Sequence, residues 1–228
     1  MTIMKKIFYL SIISTLFLSC SSSKKTSKNN DFEVIKLKGL PFWQIKKELT
    51  GNNYKITDIK RTWTTGNGQQ VSINGIKKED SKSKFSISFE IKNNQARAVT
   101  NLSNNTSQSD LTVFKEYIEI PLSYNEIVKG EVNVVETEKA SFIVINKAEV
   151  FSAKSNGKLS YKNLEYFIST KYKTSIDGLE FTIFKDDQLL AIGNTLGTIE
   201  LLKVQNEELK FIFVSTITAL IFNHLNTQ

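Results

Sequence analysis

Residues able to do chemistry are few in this 228-residue chain, which has one cysteine, Cys20, and one histidine, His224. A zinc site needs several thiolate, imidazole or carboxylate ligands together, and these two stand near opposite ends of the sequence. His224 adjoins an uncharged run and reads as a helix-terminal or surface residue rather than as part of a Ser/His/Asp relay. Two carboxylates could hydrolyse a glycoside. The candidates are Glu116 with Glu119, and Asp186 with Asp187. The first pair has an odd spacing, which puts its members on opposite faces of a strand. The second falls in a loop, and both pairs read as solvated. Calcium loops need a denser alternation of oxygen ligands. Gly193–Gly197 (GNTLG) lacks the following Lys-Ser/Thr of a phosphate loop. Arg61 and Arg97 could each pair with a carboxylate or an anionic ligand, and sheet-surface roles are expected for them. Trp43 and Trp63 are expected in the core rather than as sugar platforms. No catalytic, metal-ligating or cofactor-binding set emerges, and a non-enzymatic protein is expected.

The remaining chemistry belongs to Cys20. Lys5 and Lys6 precede a short apolar stretch, Ile7–Leu18, and the small Ser19 stands before the cysteine. This is the pattern of an export signal. Leu16-Phe17-Leu18-Ser19-Cys20 resembles the cleavage-and-lipidation box of bacterial lipoproteins, of the Bacteroidota type. The resemblance implies a signal peptide over 1–19, cleavage before Cys20 and acylation of its amine and thiol. Two or three acyl chains anchor a protein stably where one does not. A plain secreted chain and a retained membrane helix are the alternatives. A lone cysteine in an exported chain has no internal disulfide partner, and lipidation accounts for it. Ser21–Asn30 has no apolar residue, so 20–31 reads as the lipidated cysteine and a flexible tether. Lys24, Lys25 and Lys28 could touch anionic head groups, at about 1 kcal/mol each, although a soluble spacer suffices. Ser21 and Ser22 stand where such lipoproteins carry an aspartate for inner-membrane retention. The implied address is the outer membrane, on its periplasmic side.

These features require a domain to carry, and residues 32–228 read as one. The whole chain has a formal charge of +7. Without residues 1–31, which hold five lysines and Asp31, 25 basic and 22 acidic side chains remain, a charge of +3. With no basic stripe interleaved with aromatics, nucleic-acid binding is not expected. Short runs alternate between apolar and polar residues, most cleanly Phe85–Ile91 (FSISFEI). Other expected strands are Phe32–Lys38, Tyr54–Thr64, Val71–Ile76, Ala96–Leu102, Leu111–Leu122, Ile127–Glu136, Ala140–Phe151, Leu179–Ile183, Leu189–Ile192 and Thr198–Val204. Leu159–Lys173 fits strand or helix, and Leu40–Leu49 reads as a turn and a short amphipathic piece. A hairpin turn is expected at Thr65–Gln69, where Asn67-Gly68 favours a type I′ geometry. Loops are expected at the charged Lys77–Lys84, at the polar Asn101–Asp110, at Lys154–Lys158 and at Lys185–Gln188. Many short strands between turns predict an antiparallel sheet or barrel.

The most apolar stretch beyond the N-terminal one is Leu209–Leu225, with no charge from Phe211 to Phe222. As a helix it has apolar residues on every face, so it must be buried on every face. Asn206 would cap it, with Glu207 and Glu208 near the positive end of its dipole. Its many β-branched residues leave a strand, or a strand followed by a helix, as alternatives. The expected class is mainly β: an antiparallel barrel or strongly curved sheet around an apolar C-terminal helix.

Asp177–Leu225 resembles the end of the tubby-like and LURP-one-related barrel proteins. The matching features are the hairpin FTIFKDDQLLAIG (Phe181–Gly193), the acidic turn at Glu207-Glu208 and the uncharged run after it. The resemblance implies a closed antiparallel barrel with the helix through its middle. The phosphoinositide pocket of tubby proteins has no counterpart pattern here. The calcium-binding and cysteine-rich segments of scramblase relatives are also absent. The expected function is therefore a membrane-anchored envelope lipoprotein with a structural or protein-interaction role. The alternatives are binding of a lipid or small hydrophobic ligand, and hydrolysis by surface carboxylates. The expected partners are the membrane, through Cys20, and a protein or lipid.

Overall fold

A helix that is apolar all round needs walls on every side, and the strands supply them. The structure, a computed structural model, describes residues 31–40, 48–66, 68–73, 76–113, 118–149, 152–172, 178–203 and 206–227. Helix α1 spans Glu207–Thr227, 21 residues or about 31 Å. Every side chain from Lys210 to Asn223 is buried. The helix is long and apolar enough to cross a membrane by length and composition alone, but 78% of that window is buried inside the domain. Its apolar surface is spent on the sheet.

The described strands are β1 (Phe32–Lys36), β2 (Leu49–Gly51), β3 (Tyr54–Thr65), β4 (Gln69–Ile73), β5 (Ile76–Lys92), β6 (Arg97–Val113), β7 (Ile118–Val134), β8 (Lys139–Glu149), β9 (Ser152–Tyr161), β10 (Leu164–Tyr172), β11 (Leu179–Lys185), β12 (Gln188–Asn194) and β13 (Thr198–Leu202). They form one antiparallel sheet in the order β1-β13-β12-β11-β10-β9-β8-β7-β6-β5-β3-β2, with β4 beside β5. The sheet curls until its ends meet. Lys38, just past β1, bridges Thr50 in β2, with N–H to O distances of 2.6 and 3.3 Å. The Asn52 amide also donates to the Val34 carbonyl at 2.7 Å. The result is a nearly closed barrel around a helix, as expected.

Alternation places Phe85, Ile87, Phe89 and Ile91 of β5 on the inner face, all buried. Rings along α1 meet rings on the wall: Tyr54 with Phe211, Tyr166 with Phe213 and Phe89 with Phe222, at centroid separations of 5.4, 5.3 and 5.1 Å. Glycines admit the closest approaches. A Cβ on Gly193 would collide with Ile217 of α1, and one on Gly130 with the Phe142 ring. Two tight hairpins turn through left-handed pairs, Lys162-Asn163 and Asp186-Asp187, with φ of 47° and 61°, and 47° and 64°. Residues of this kind suit a type I′ turn.

Several local expectations are corrected. Lys77–Lys84, Asn101–Asp110 and Lys154–Lys158 are not loops but parts of β5, β6 and β9. β5 and β6 pair without a break from Ile76↔Val113 to Lys92↔Arg97. Their outer halves need no apolar alternation, because they extend past the buried apolar layers, and over Lys77–Lys84 and Asn105–Asp110 both faces are polar. Backbone pairing and ion pairs such as Lys77–Glu79, 2.6 Å, sustain them. Thr65–Gln69 is not a hairpin: β3 and β4 both pair with β5, and the Gly66 N–H continues the ladder to the Lys82 carbonyl at 2.8 Å. The strand expected over Leu111–Leu122 is two strand segments, the end of β6 and the start of β7. Pro121 lies within β7, opposite Asp110 at a register shift, where a missing N–H is tolerated. Leu159–Lys173 resolves into two strands and a turn. The expected piece at Leu40–Leu49 falls mostly outside the described residues.

Candidate functional site

Three polar places stand out: the two ends of α1 and a groove on the outer wall. At its N-terminus, Asn206 caps the helix. Its side-chain oxygen accepts the Leu209 N–H at 2.8 Å, as the sequence predicts. Glu208 accepts from the Tyr161 hydroxyl and from the Lys162 ammonium at 2.9 Å. Burial alone would raise the Glu208 pKa, but the hydrogen bonds from Tyr161, Lys162 and Thr137 hold it below the ordinary value. Lys210 is buried between Glu207, at 2.8 Å, and Glu33, at 3.4 Å. Burial, with Glu33 and Glu207 nearby, pushes the Tyr54 hydroxyl well up. This end is an ion-paired clasp between helix and wall.

At the other end the interior turns polar. Glu126 of β7 is buried. It accepts from Asn104 at 2.6 Å, Asn146 at 2.6 Å and Asn223 of α1 at 2.9 Å. Asn104 also donates to the Asn223 side-chain oxygen at 2.7 Å and accepts from Thr106 at 2.7 Å. The carboxylate is held by three amide donors, from two strands of the wall and from the helix. Held this way, it serves as a hydrogen-bond hub that fixes the end of α1. Neighbouring His224 is half-buried, and burial pushes its imidazole pKa below the ordinary value despite the opposing pull of Glu126. It lies in the last turn of the helix, as expected. Sequence reasoning missed the hub, because its members are dispersed single residues and none belongs to a motif.

The groove lies on the outer faces of β5 to β9. Cross-strand register lines up Ser86, Ser103, Lys129, Ile143 and Lys158. A second row holds Ser88, Asn101, Glu131, Ser141 and Ser160. The concavity measures about 620 Å³. A second one of about 480 Å³, reaching Lys162 and Glu165, shares Ser141 and Ser160 with it. Glu131 is paired with Lys139 at 2.5 Å, and Glu165 with Lys158. Lys129 has no ion pair among the described residues. Phe167, opposite Lys158 in β10, is 61% exposed.

The residues singled out from the sequence scatter. Cys20, Trp43 and Glu116 lie outside the described residues, and only the backbone of Glu119 is described. Asp186 and Asp187 form a hairpin turn. Gly193, part of GNTLG, admits the helix. Arg97 pairs with the buried Glu90 at 2.5 Å, a sheet-surface role as expected, and partial burial lowers the pKa of Arg61. Trp63 is corrected: it is 53% exposed and stacked on Phe85 at 5.4 Å, beyond the closed core. Among the described residues no group of three or more His, Cys, Asp or Glu gathers to hold a metal. The architecture is an antiparallel barrel about a central helix. Comparison with protein families, curated proteins and solved structures finds no match to the chain.

Proposed function

We propose that the chain is a non-enzymatic lipoprotein of the bacterial cell envelope with a structural or protein-interaction role. Acyl chains on Cys20 hold it at the periplasmic face of the outer membrane. The observation that carries this reading is Leu16–Cys20 at the end of an apolar stretch, followed by a polar tether and a domain that needs no cysteine. The barrel supports the non-enzymatic part. Its interior is filled by α1, and its buried carboxylates are committed, Glu126 to amides and Glu90 to Arg97. Growth with an alkynyl palmitate analogue tests the anchor: the chain should carry the label, and Cys20→Ser should lose it. An unlabelled parent chain would sink the proposal.

Binding of a lipid or small hydrophobic ligand by a tubby-like barrel is the second reading, and the central helix favours it. Because α1 occupies the middle, a lipid would sit on the outer wall or the rim. Native mass spectrometry of the purified chain should then detect a bound lipid, and a bare mass would count against this reading.

A further inference from the structure

We propose that the outer groove across β5–β9 binds an acidic, N-acetylated glycan strand. This deepens the structural role above by naming what the anchored domain holds. Small hydroxyl and amide side chains, Ser86, Asn101, Ser103 and Ser141 among them, share the groove lining with the apolar Leu102 and Ile143. The polar groups match the hydroxyls and acetamido groups of a sugar chain. A protein partner would want a central aromatic or arginine anchor, and the one aromatic residue lining this groove, Phe142, is committed to the buried core. The row from Ser86 to Phe167 crosses six strands along a path of about 24 Å, with a polar or aromatic side chain on every strand but β8, which presents Ile143. That span suits an extended polymer lying across the strands. Charge selects an acidic strand. Glu131 and Glu165 are each neutralised by a lysine, whereas Lys129 at the centre has no carboxylate partner among the described residues. Phe167 offers an exposed ring face at the end of the row, against which a sugar's C–H face can stack.

The test is calorimetric titration of the full chain in detergent. The probes are soluble peptidoglycan glycan strands stripped of their peptide stems, which retain lactyl carboxylates, and chitohexaose as the neutral comparator. The stripped strands should bind at least tenfold more tightly than chitohexaose. Lys129→Glu should weaken the acidic strand tenfold or more and leave chitohexaose unchanged. Phe167→Ala should weaken both severalfold. Lys36→Glu, on β1 away from the groove, should change neither, and melting curves should confirm that all variants fold. Absence of binding, equal affinity for the two glycans, or wild-type affinity in both groove variants would overturn the proposal. Because binding is read independently of acylation, a failed palmitate label and a failed titration report on separate claims.

Discussion

Gly193 in β12 lies directly against Ile217 of α1, and adding one methyl there should measure how firmly the barrel grips the helix. A Cβ on Gly193 would fall far inside contact distance of Ile217 Cγ2, while Ile217 Cβ and Cδ1 would stand at 3.4 and 3.5 Å. The conflict is thus with a single methyl. That methyl cannot swing away easily, because a β-branched residue in a helix keeps one strongly preferred χ1. The backbone at Gly193 is not in the left-handed region, so alanine is opposed by sterics alone. Overpacking of this kind costs about 1–3 kcal/mol. Ile217→Ala by itself should cost about 2–5 kcal/mol through the cavity it opens. In the double variant the new methyl enters that cavity, so the two losses should fall short of their sum by about 1 kcal/mol or more. Urea titration followed by both circular dichroism and tryptophan fluorescence provides the assay, with coincident curves checking for a single transition. Strict additivity, or a Gly193→Ala variant as stable as the parent, would show that β12 and α1 are not packed as described.

Removal of the helix cap by Asn206→Ala should destabilise the domain by about 1 kcal/mol, read as a lower urea midpoint at unchanged slope. Glu126→Ala should cost about 1–3 kcal/mol, because it removes an acceptor shared by the buried Asn104 and Asn223 and the partly buried Asn146; hydrogen exchange should quicken first at the C-terminal end of α1. His224 should make stability depend on pH. Its folded pKa lies below the unfolded value of about 6.5, so the unfolded chain binds the proton more readily and stability falls as pH drops through that value. His224→Gln should flatten this slope in urea midpoints measured between pH 8 and pH 5.

The course of α1 was legible in the sequence because an uncharged run with apolar residues on every face has few places to go, and Asn206-Glu207-Glu208 marks its start. Phe85–Ile91 and Leu179–Ile183 were legible because each has one wet face and one dry face. The outer halves of β5 and β6 were not. Lys77–Lys84 and Asn101–Asp110 have the composition of loops, and only pairing with each other makes them strands. Trp63 was placed in the core on residue type, but its position along β3 carries it beyond the closed interior. The groove was invisible for another reason. Its serines and lysines are ordinary outward-facing residues, and they converge only when five strands are set in register.

One physical rule orders these cases. Along the inner face of β6 the residues run Ala98, Thr100, Leu102, Asn104, Thr106 and Gln108, and burial gives way to exposure in that order. The change falls at the level of Asn223, where the burial of α1 ends. Inside that level Asn104 finds partners in Glu126 and Asn223, whereas the buried Thr100 hydroxyl has none among the described residues. Beyond it water serves as well, and Gln108 needs only its neighbour Asp110, at 2.7 Å. The same strand is therefore core at one end and only partly buried at the other. Residue type alone cannot say where the boundary lies, because the helix that sets it is more than a hundred positions away in the chain.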